Sequence, residues 1–479
     1  MGEQNLSLIE PPVNNDHRYF NVLSELTEPY LVRREKGEKG SYLTMDKSLQ
    51  LVLLLKLKQN FKKRQEAFQR AVSILRASIL IPSHPHRTEA SSWTVALSIL
   101  PHLLSIVEAH DLSKPWLEAS QVFAEILADV GMRLFDRGIT AEASILLEKA
   151  EEILADLDDV TEMIGNVLTA LGSCTDTFGI SQRAKGLEVR QRCLEVREND
   201  YAAIHDESTK RRRKILLCNA KLDKACSLQQ FNRMPEVDEI CQQLFNKYQS
   251  WVPKHEFPVE YAKYVNHMAY VHLSRGETEK AIEDAEKAYS IVRDTPNAQL
   301  TVRFKFDWAS VMFQNKEVDR AIEEHELILE SRIRDFGKQH VLTMQSRLNL
   351  GIMYCLVGDL FHAEYVCWLI LRYRCRYSWL TVIRKFIRQT LKVDKKVHWP
   401  IENRVRAKYY LAQTLLKGNT HSEEARRLDL EAKSTLEELL CLGGLESIKE
   451  YLEPKNYPIL FDYIVPWECR LVTPWSLEN

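Results

Sequence analysis

Small residues recur along this chain at helical spacing, and nothing else in it constrains the fold as strongly. They stand as Gly138, Ala143 and Ala150, as Gly276, Ala281 and Ala288, and as Gly358 and Ala363. The two fullest copies share one offset: a glycine, an alanine five residues on, and a second alanine seven further. Only small side chains let the backbones of an antiparallel helix pair approach closely. Ala281 to Ala321 is 40 residues and Ala321 to Ala363 is 42, and a period of that size predicts a stacked array of helix pairs, a solenoid. Such an array presents an extended concave surface, which suits a protein partner better than a pocket built for chemistry.

Composition agrees. Gly and Pro number only 16 each in 479 residues, which favours long helices with few turns. The formal net charge is −2, so no global field draws in nucleic acid or membrane. Ten cysteines are scattered between Cys174 and Cys469 without a C-x-x-C pair, and Met1–Asn15 is polar. Reduced, buried thiols in a cytoplasmic or nuclear protein are therefore expected. The longest apolar run, Leu49–Leu57, is too short to span a bilayer and reads as a core helix.

Along the chain, residues 1–15 read as a flexible tail, broken by Pro11-Pro12 and Asn14-Asn15. Residues 16–60 predict a helix near 17–28, an extended piece at Tyr30–Arg33, a turn at Gly37–Gly40, a strand at Tyr42–Met45 and a helix over Asp46–Lys58. That order suggests a small winged-helix-like segment. A helical connector, 61–116, holds helices near 62–80 and 91–109. The array is expected over 117–440, with a basic insert at about 372–403 and a cap over 441–479. Repeat one fits one template throughout: Leu127, Val130, Gly131, Leu134, Gly138, Ala143, Leu147 and Ala150. Repeat two loses register around Gly179–Gly186, repeat three is degenerate, and repeats four to seven recover the pattern.

These residues resemble tetratricopeptide repeats. The Leu-Gly-x-x-Tyr core stands literally as Leu350-Gly351-Ile352-Met353-Tyr354, and Ala321–Glu364 is similar to the longer variety of kinesin light chains through His325-Glu326, Arg332, Gly337, His340 and Thr343. The resemblance covers about 117–440 and implies an all-α, right-handed α-solenoid. A second resemblance precedes it. Ser41–Gln50 looks like the motif closing the winged-helix part of STAND-class, NB-ARC-type ATPases. In fungal members Phe and Ala, then Trp, then Leu-Pro-His follow, as Phe68, Ala71, Trp93 and Leu100-Pro101-His102 do here. Phe461–Trp467 is similar to the close of such fungal repeat proteins. Asp46 replaces that motif's histidine, and no G-x-x-x-x-G-K-[ST] loop occurs in the sequence. The resemblance thus implies a sensor end without its motor, with no bound nucleotide, no cofactor and no hydrolysis.

No nucleophile elbow, H-E-x-x-H or paired Cys/His set appears, so no catalytic residue and no metal ligand is assigned. His84 and His86 lack a third ligand nearby. His267 and His272, five apart, do not share a helix face as i, i+4 ligands would. Asp156, Asp158 and Asp159 read as a solvated helix end. Lys210–Lys214 is either the first turns of a helix or a nuclear-import or acidic-partner contact. Between Arg372 and Lys396 nine Lys/Arg stand against one acid, interleaved with Tyr373, Tyr377, Trp379 and Phe386. An amphipathic helix packed on the array, an acidic protein partner, nucleic acid or a membrane surface all fit that pattern.

In the resembled family the concave side is lined from the first helix of each pair. Carried over by position, peptide-binding candidates are Lys263, Asn266 and Tyr270; Arg303 and Ser310; Gln345 with Asn349; and Arg406, Tyr409 and Gln413. Amides can bond an extended peptide backbone, and the cations suit acidic groups. The expectation is a non-enzymatic interaction scaffold or adaptor binding a peptide or protein in its groove. The alternative is a regulatory subunit acting in trans with a STAND-type ATPase, docked through the N-terminal segment.

Overall fold

The computed structural model describes residues 32–37, 40–45, 47–79, 90–231, 233–250, 257–295, 298–338, 340–359, 400–418, 422–443, 452–466 and 470–471. The expected tail, the 17–28 helix, the Pro82–Arg87 loop and the Arg372–Lys396 basic stretch lie outside them. The chain divides into two compact units, residues 1–135 with 142–167, and 136–141 with 168–479.

The first unit opens with an antiparallel hairpin, β1 (Val32–Gly37) and β2 (Gly40–Met45), paired from Val32↔Met45 to Gly37↔Gly40. Helix α1 (Lys47–Lys58) follows, so hairpin and helix appear in the expected order. Helix α2 (Phe61–Ser78) is started by Asn60, whose side chain accepts from the Lys63 amide at 3.0 Å. Helix α3 (Ala90–Asp111) returns beside it, and Phe68, His110 and Phe123 form a buried ring cluster. Gln65 fixes the loop after α3 by bonding both backbone groups of Glu118, at 2.9 and 3.0 Å. Helices α4 (Gln121–Asp136) and α5 (Thr140–Ala155) form the first template pair. Gly131 is needed there: a Cβ would stand 2.8 Å from Leu147 Cγ. Helix α6 (Thr161–Asp176) runs on into the second unit.

The second unit is a succession of antiparallel helix pairs. A single 3-10 turn, Ile180–Gln182, joins α6 to α7 (Arg183–Ala203), so the repeat that loses register in sequence keeps its pairing in space. Then come α8 (Glu207–Gln230) and α9 (Met234–Ser250), α10 (Pro258–Ser274) and α11 (Thr278–Arg293), α12 (Ala298–Gln314) and α13 (Val318–Phe336), and α14 (Val341–Val357). The last pair is α15 (Ile401–Lys417) and α16 (Ser422–Leu442), followed by the short α17 (Tyr457–Tyr463). The Lys210–Lys214 cluster forms the opening turns of α8, where Arg213 pairs with Asp200 at 3.2 Å.

The alanines act as the spacing requires. Ala281 and Ala285 of α11, both fully buried, pack in one cluster with Ala269 and Tyr270 of α10 and with Trp308 and Met312 of α12. Their small size lets one helix lie against two neighbours. Between α10 and α11 the chain reverses at Gly276, with φ +75° and the Glu277 amide returned to the His272 carbonyl at 2.9 Å. Between α12 and α13 the same reversal is made at Lys316, with φ 67°, a position where a side chain is strained.

Candidate functional site

Consecutive first helices are joined by buried polar bridges. Asn266 on α10 donates to Asp307 on α12 at 2.9 Å. Cys226 on α8 meets His267 on α10, Sγ to Nδ1 3.2 Å. Burial pushes His267 down to about 4, which keeps the imidazole neutral, and pushes the Cys226 thiol well up. Further along, Ser310 lies 3.3 Å from His325 Nε2, and burial with the nearby Arg332 cation lowers His325 to about 3. Arg190 of α7 holds Asp176 and Asp223 at 3.1 and 3.0 Å. Burial outweighs Arg190 at Asp176 and raises its carboxyl.

The C-terminal segment is built into the end of this ladder. Arg406 of α15 pairs with Asp462 of α17 at 2.5 Å, both side chains without solvent exposure. The same guanidinium donates to Asn349 Oδ1 of α14 at 3.2 Å, and Asp462 also accepts from the Leu471 amide at 2.6 Å. Phe461 stacks on Tyr409, ring centroids 4.2 Å apart and 19° between planes. Tyr457 receives Lys433 over its ring at 4.5 Å. The segment then reaches the turn before α7, the first turn of α7 and the end of α8. Arg183, at the first turn of α7, donates to the carbonyls of Tyr463, Val465 (3.1 Å) and Gln230 (3.1 Å), with its guanidinium 4.8 Å over the Tyr463 ring. Tyr463 donates its hydroxyl to the Gln230 carbonyl at 2.9 Å, and the Ile180 amide bonds the Ile464 carbonyl at 3.1 Å. Burial depresses Arg183 below the usual guanidinium range. Glu402, which accepts from the Ser181 amide and hydroxyl at 3.1 and 2.9 Å, has its carboxyl raised by burial.

The sequence-predicted groove residues divide sharply. Lys263 is exposed, and Arg303 and Gln413 are half-buried, Gln413 held by Asp429 at 3.0 Å. Asn266, Tyr270, Ser310, Gln345, Asn349, Arg406 and Tyr409 are buried. Of these the structure brings together Asn349, Arg406 and Tyr409, around the C-terminal segment. The expectation of openness needs correcting at the buried positions, because polar side chains on successive first helices are close enough to bond one another or the returning segment. Arg183, Gln230 and Asp462 were not singled out from sequence. Asp462 lies in the flagged Phe461–Trp467 stretch, whereas nothing local distinguishes Arg183 from the other arginines of α7.

Among the described residues no group of three His, Cys, Asp or Glu could hold a metal ion, and no helix is long and apolar enough to cross a membrane. The seven cysteines described are free thiols.

No family model matches the chain, and no curated protein matches it. Among solved structures it is similar to the TPR-like repeats of a Podosopora anserina kinesin light chain, at 16% identity and TM-score 0.35, over 49% of this chain and 98% of that one. It is similar also to the Rap conjugation gene regulator of the plasmid pLS20, at 13% identity and TM-score 0.46, over 84% of this chain and 97% of that one. A Pyrococcus horikoshii STAND protein with a tetratricopeptide repeat sensor aligns at 14% identity and TM-score 0.36, over 95% of this chain and 63% of that one.

Proposed function

We propose that the chain is a non-enzymatic protein-interaction scaffold that takes a peptide or protein segment against the first helices of its repeat pairs. The observation that carries this reading is the C-terminal segment itself. Arg406 of α15 supplies a cation for its acid, Tyr409 of α15 an aromatic face for its ring and Arg183 of α7 donors for its carbonyls, while the Gln230 carbonyl of α8 accepts from its Tyr463 hydroxyl. Those are the contacts by which a helical surface selects a peptide. Lys263 and Arg303, which are not buried, extend the surface available to a partner. No nucleotide or other cofactor takes part. The test is affinity capture with wild type beside the Lys263→Glu/Arg303→Glu double variant, read by mass spectrometry. Partners lost only with the variant support the reading, and equal capture by both overturns it.

A second reading is favoured by the first unit. Val52, Leu53 and Leu55 of α1 are exposed beside the hairpin, an apolar face suited to docking on a separate STAND-type ATPase in a regulatory role. Removing residues 1–60 would then abolish ATPase association while leaving peptide capture intact.

A further inference from the structure

The first unit carries a surface of a different kind. From Lys47 to Arg64 the sequence holds six cations, Lys47, Lys56, Lys58, Lys62, Lys63 and Arg64, and no acid, in a chain whose net charge is −2. The same stretch is rich in large apolar residues. Its Leu49–Leu57 run reads as a core helix, yet Val52, Leu53 and Leu55 of α1 are exposed, as is Phe61, which opens α2. Lys56, Lys58, Lys62 and Lys63 are exposed beside them. Arg64 ties this corner to the loop between α3 and α4. Its guanidinium lies 5.6 Å from the centre of the Phe61 ring and donates to the Pro115 carbonyl at 2.8 Å. On that loop Trp116 is 62% exposed and Leu112 74%, with Lys114 exposed between them. The loop is pinned on both sides of the tryptophan. Ser113 donates its hydroxyl to the His110 carbonyl at 2.8 Å and accepts from the Leu117 amide at 3.1 Å, and Gln65 bonds both backbone groups of Glu118. The backbone thus holds Trp116 outward.

Large apolar side chains left in water forgo the free energy of burial, so an occupant that covers them gains it. The lysines decide which occupant. Lys56 follows Leu55 and lies one helical turn from Val52, Lys62 and Lys63 follow Phe61, and Lys114 stands two before Trp116. Protein interface cores are depleted in lysine, which argues against a protein here. Nucleic acid would reward the lysines and gain nothing from Val52, Leu53, Leu55 and Leu112. A bilayer surface rewards both. Aliphatic groups enter its acyl boundary, tryptophan sits at headgroup level, and lysine stems run along the apolar layer with their ammonium groups among the phosphates. The local charge fits anionic lipid: Asp111 is held by Lys149 at 2.5 Å, and Glu66 and Glu118 are exposed against five exposed lysines. We propose that the first unit binds the surface of a membrane carrying anionic lipid. Val52, Leu55, Phe61 and Trp116 enter the interface, and Lys56, Lys62, Lys63 and Lys114 meet the headgroups. At 12 residues α1 is too short to span a bilayer, so the contact is with one leaflet. The inference stands apart from the scaffold reading, which concerns the second unit, and it gives α1 a lipid surface where the regulatory reading gives it a protein. A partner taken by the repeats would thereby be brought to that surface.

The test is co-sedimentation of the full chain with vesicles, of phosphatidylserine and phosphatidylcholine in equal parts or of phosphatidylcholine alone. The chain should sediment with the anionic vesicles and stay in solution with the neutral ones. Lys62→Glu/Lys63→Glu should weaken binding by about tenfold or more, since each lysine near an anionic surface contributes and each reversal repels. Leu55→Gln/Trp116→Ala, which leaves the charge unchanged, should weaken it by about tenfold. All four side chains are exposed, so both variants should melt with wild type. Lys263→Glu/Arg303→Glu should bind vesicles as wild type does, so the lipid inference and the scaffold reading fail separately. Absence of binding to the anionic vesicles overturns the proposal, and equal binding to both vesicles overturns recognition of anionic lipid. Wild-type binding by the Leu55/Trp116 and Lys62/Lys63 variants places the contact elsewhere and overturns it too. Polyglutamate or a DNA duplex held equally by wild type and by Leu55→Gln/Trp116→Ala, with vesicles left unbound, shows a surface for a soluble polyanion and overturns it as well.

Discussion

Arg406 and Asp462 face one another at 2.5 Å with no part of either side chain exposed, joining the last helix pair to the segment that follows it. A pair so enclosed is costly to halve. Asp462→Ala should lose about 3–5 kcal/mol in chemical denaturation, because Arg406 would stay buried without its anion. The double replacement Arg406→Met/Asp462→Leu should recover most of that loss. Equal losses in single and double variants would place the stabilisation in packing instead.

The stacked rings of Tyr409 and Phe461 offer a second measurement. Tyr409→Ala and Phe461→Ala should each cost about 3–5 kcal/mol as large-to-small changes in a core. A double-mutant cycle should return a coupling of about 0.5–1.5 kcal/mol for the offset stack itself. A coupling of zero would mean that the rings fill space independently.

Acid should destabilise the fold through its histidines. Burial holds His267 and His340 at about 4 and His325 at about 3, against 6.5 for the free side chain. With the folded value depressed, the unfolded chain binds protons first as pH falls. The stability is complete above pH 6.5 and is lost progressively from there toward 4. Asp176 and Glu402, whose carboxyls burial raises, act in the opposite sense and lessen the loss at the acid end. Melting temperature measured across that range should fall, and a His325→Gln variant should fall less. A flat profile would contradict the buried, neutral assignment.

Two turns of the same shape should respond oppositely to substitution. Gly276 adopts φ +75°, and a Cβ at that position would meet no atom within 4 Å, so Gly276→Ala should cost about 1 kcal/mol from backbone strain alone. Lys316 at φ 67° already bears that strain, and Lys316→Gly should stabilise by up to about 1 kcal/mol. Thermal melts of both variants decide it, and changes of the same sign would contradict the account.

The fold was legible because its signal is local. Gly131 and the alanines of α11 sit where neighbouring helices approach, and Gly276 sits where the chain reverses between two helices of one pair; both depend on residues close in sequence. The candidate site was legible only in part. Asn349, Arg406 and Tyr409 were found by their place in the helix, but their burial depends on the segment that begins at Tyr457, and Arg183 is separated from Val465 by nearly the whole second unit. A buried polar bridge and an open binding contact draw on the same residue types at the same helical positions. Asn266 illustrates this: its amide could have met a peptide, and it meets Asp307 instead. Register was the other loss, since the Ile180–Gln182 turn shifts the spacing of repeat two without breaking its pairing.

A row of repeats with nearest-neighbour contacts alone has two free ends, and each can fray without disturbing the middle. The second unit is not such a row. Ser181 is bonded to Glu402, Ile180 to Ile464 and Arg183 to Val465, so the turn between α6 and α7 and the closing segment hold each other. Peeling the last pair away therefore also uncovers the turn between α6 and α7. The unit should melt as one block, with its terminal helices no easier to open than its central ones while that clasp is shut.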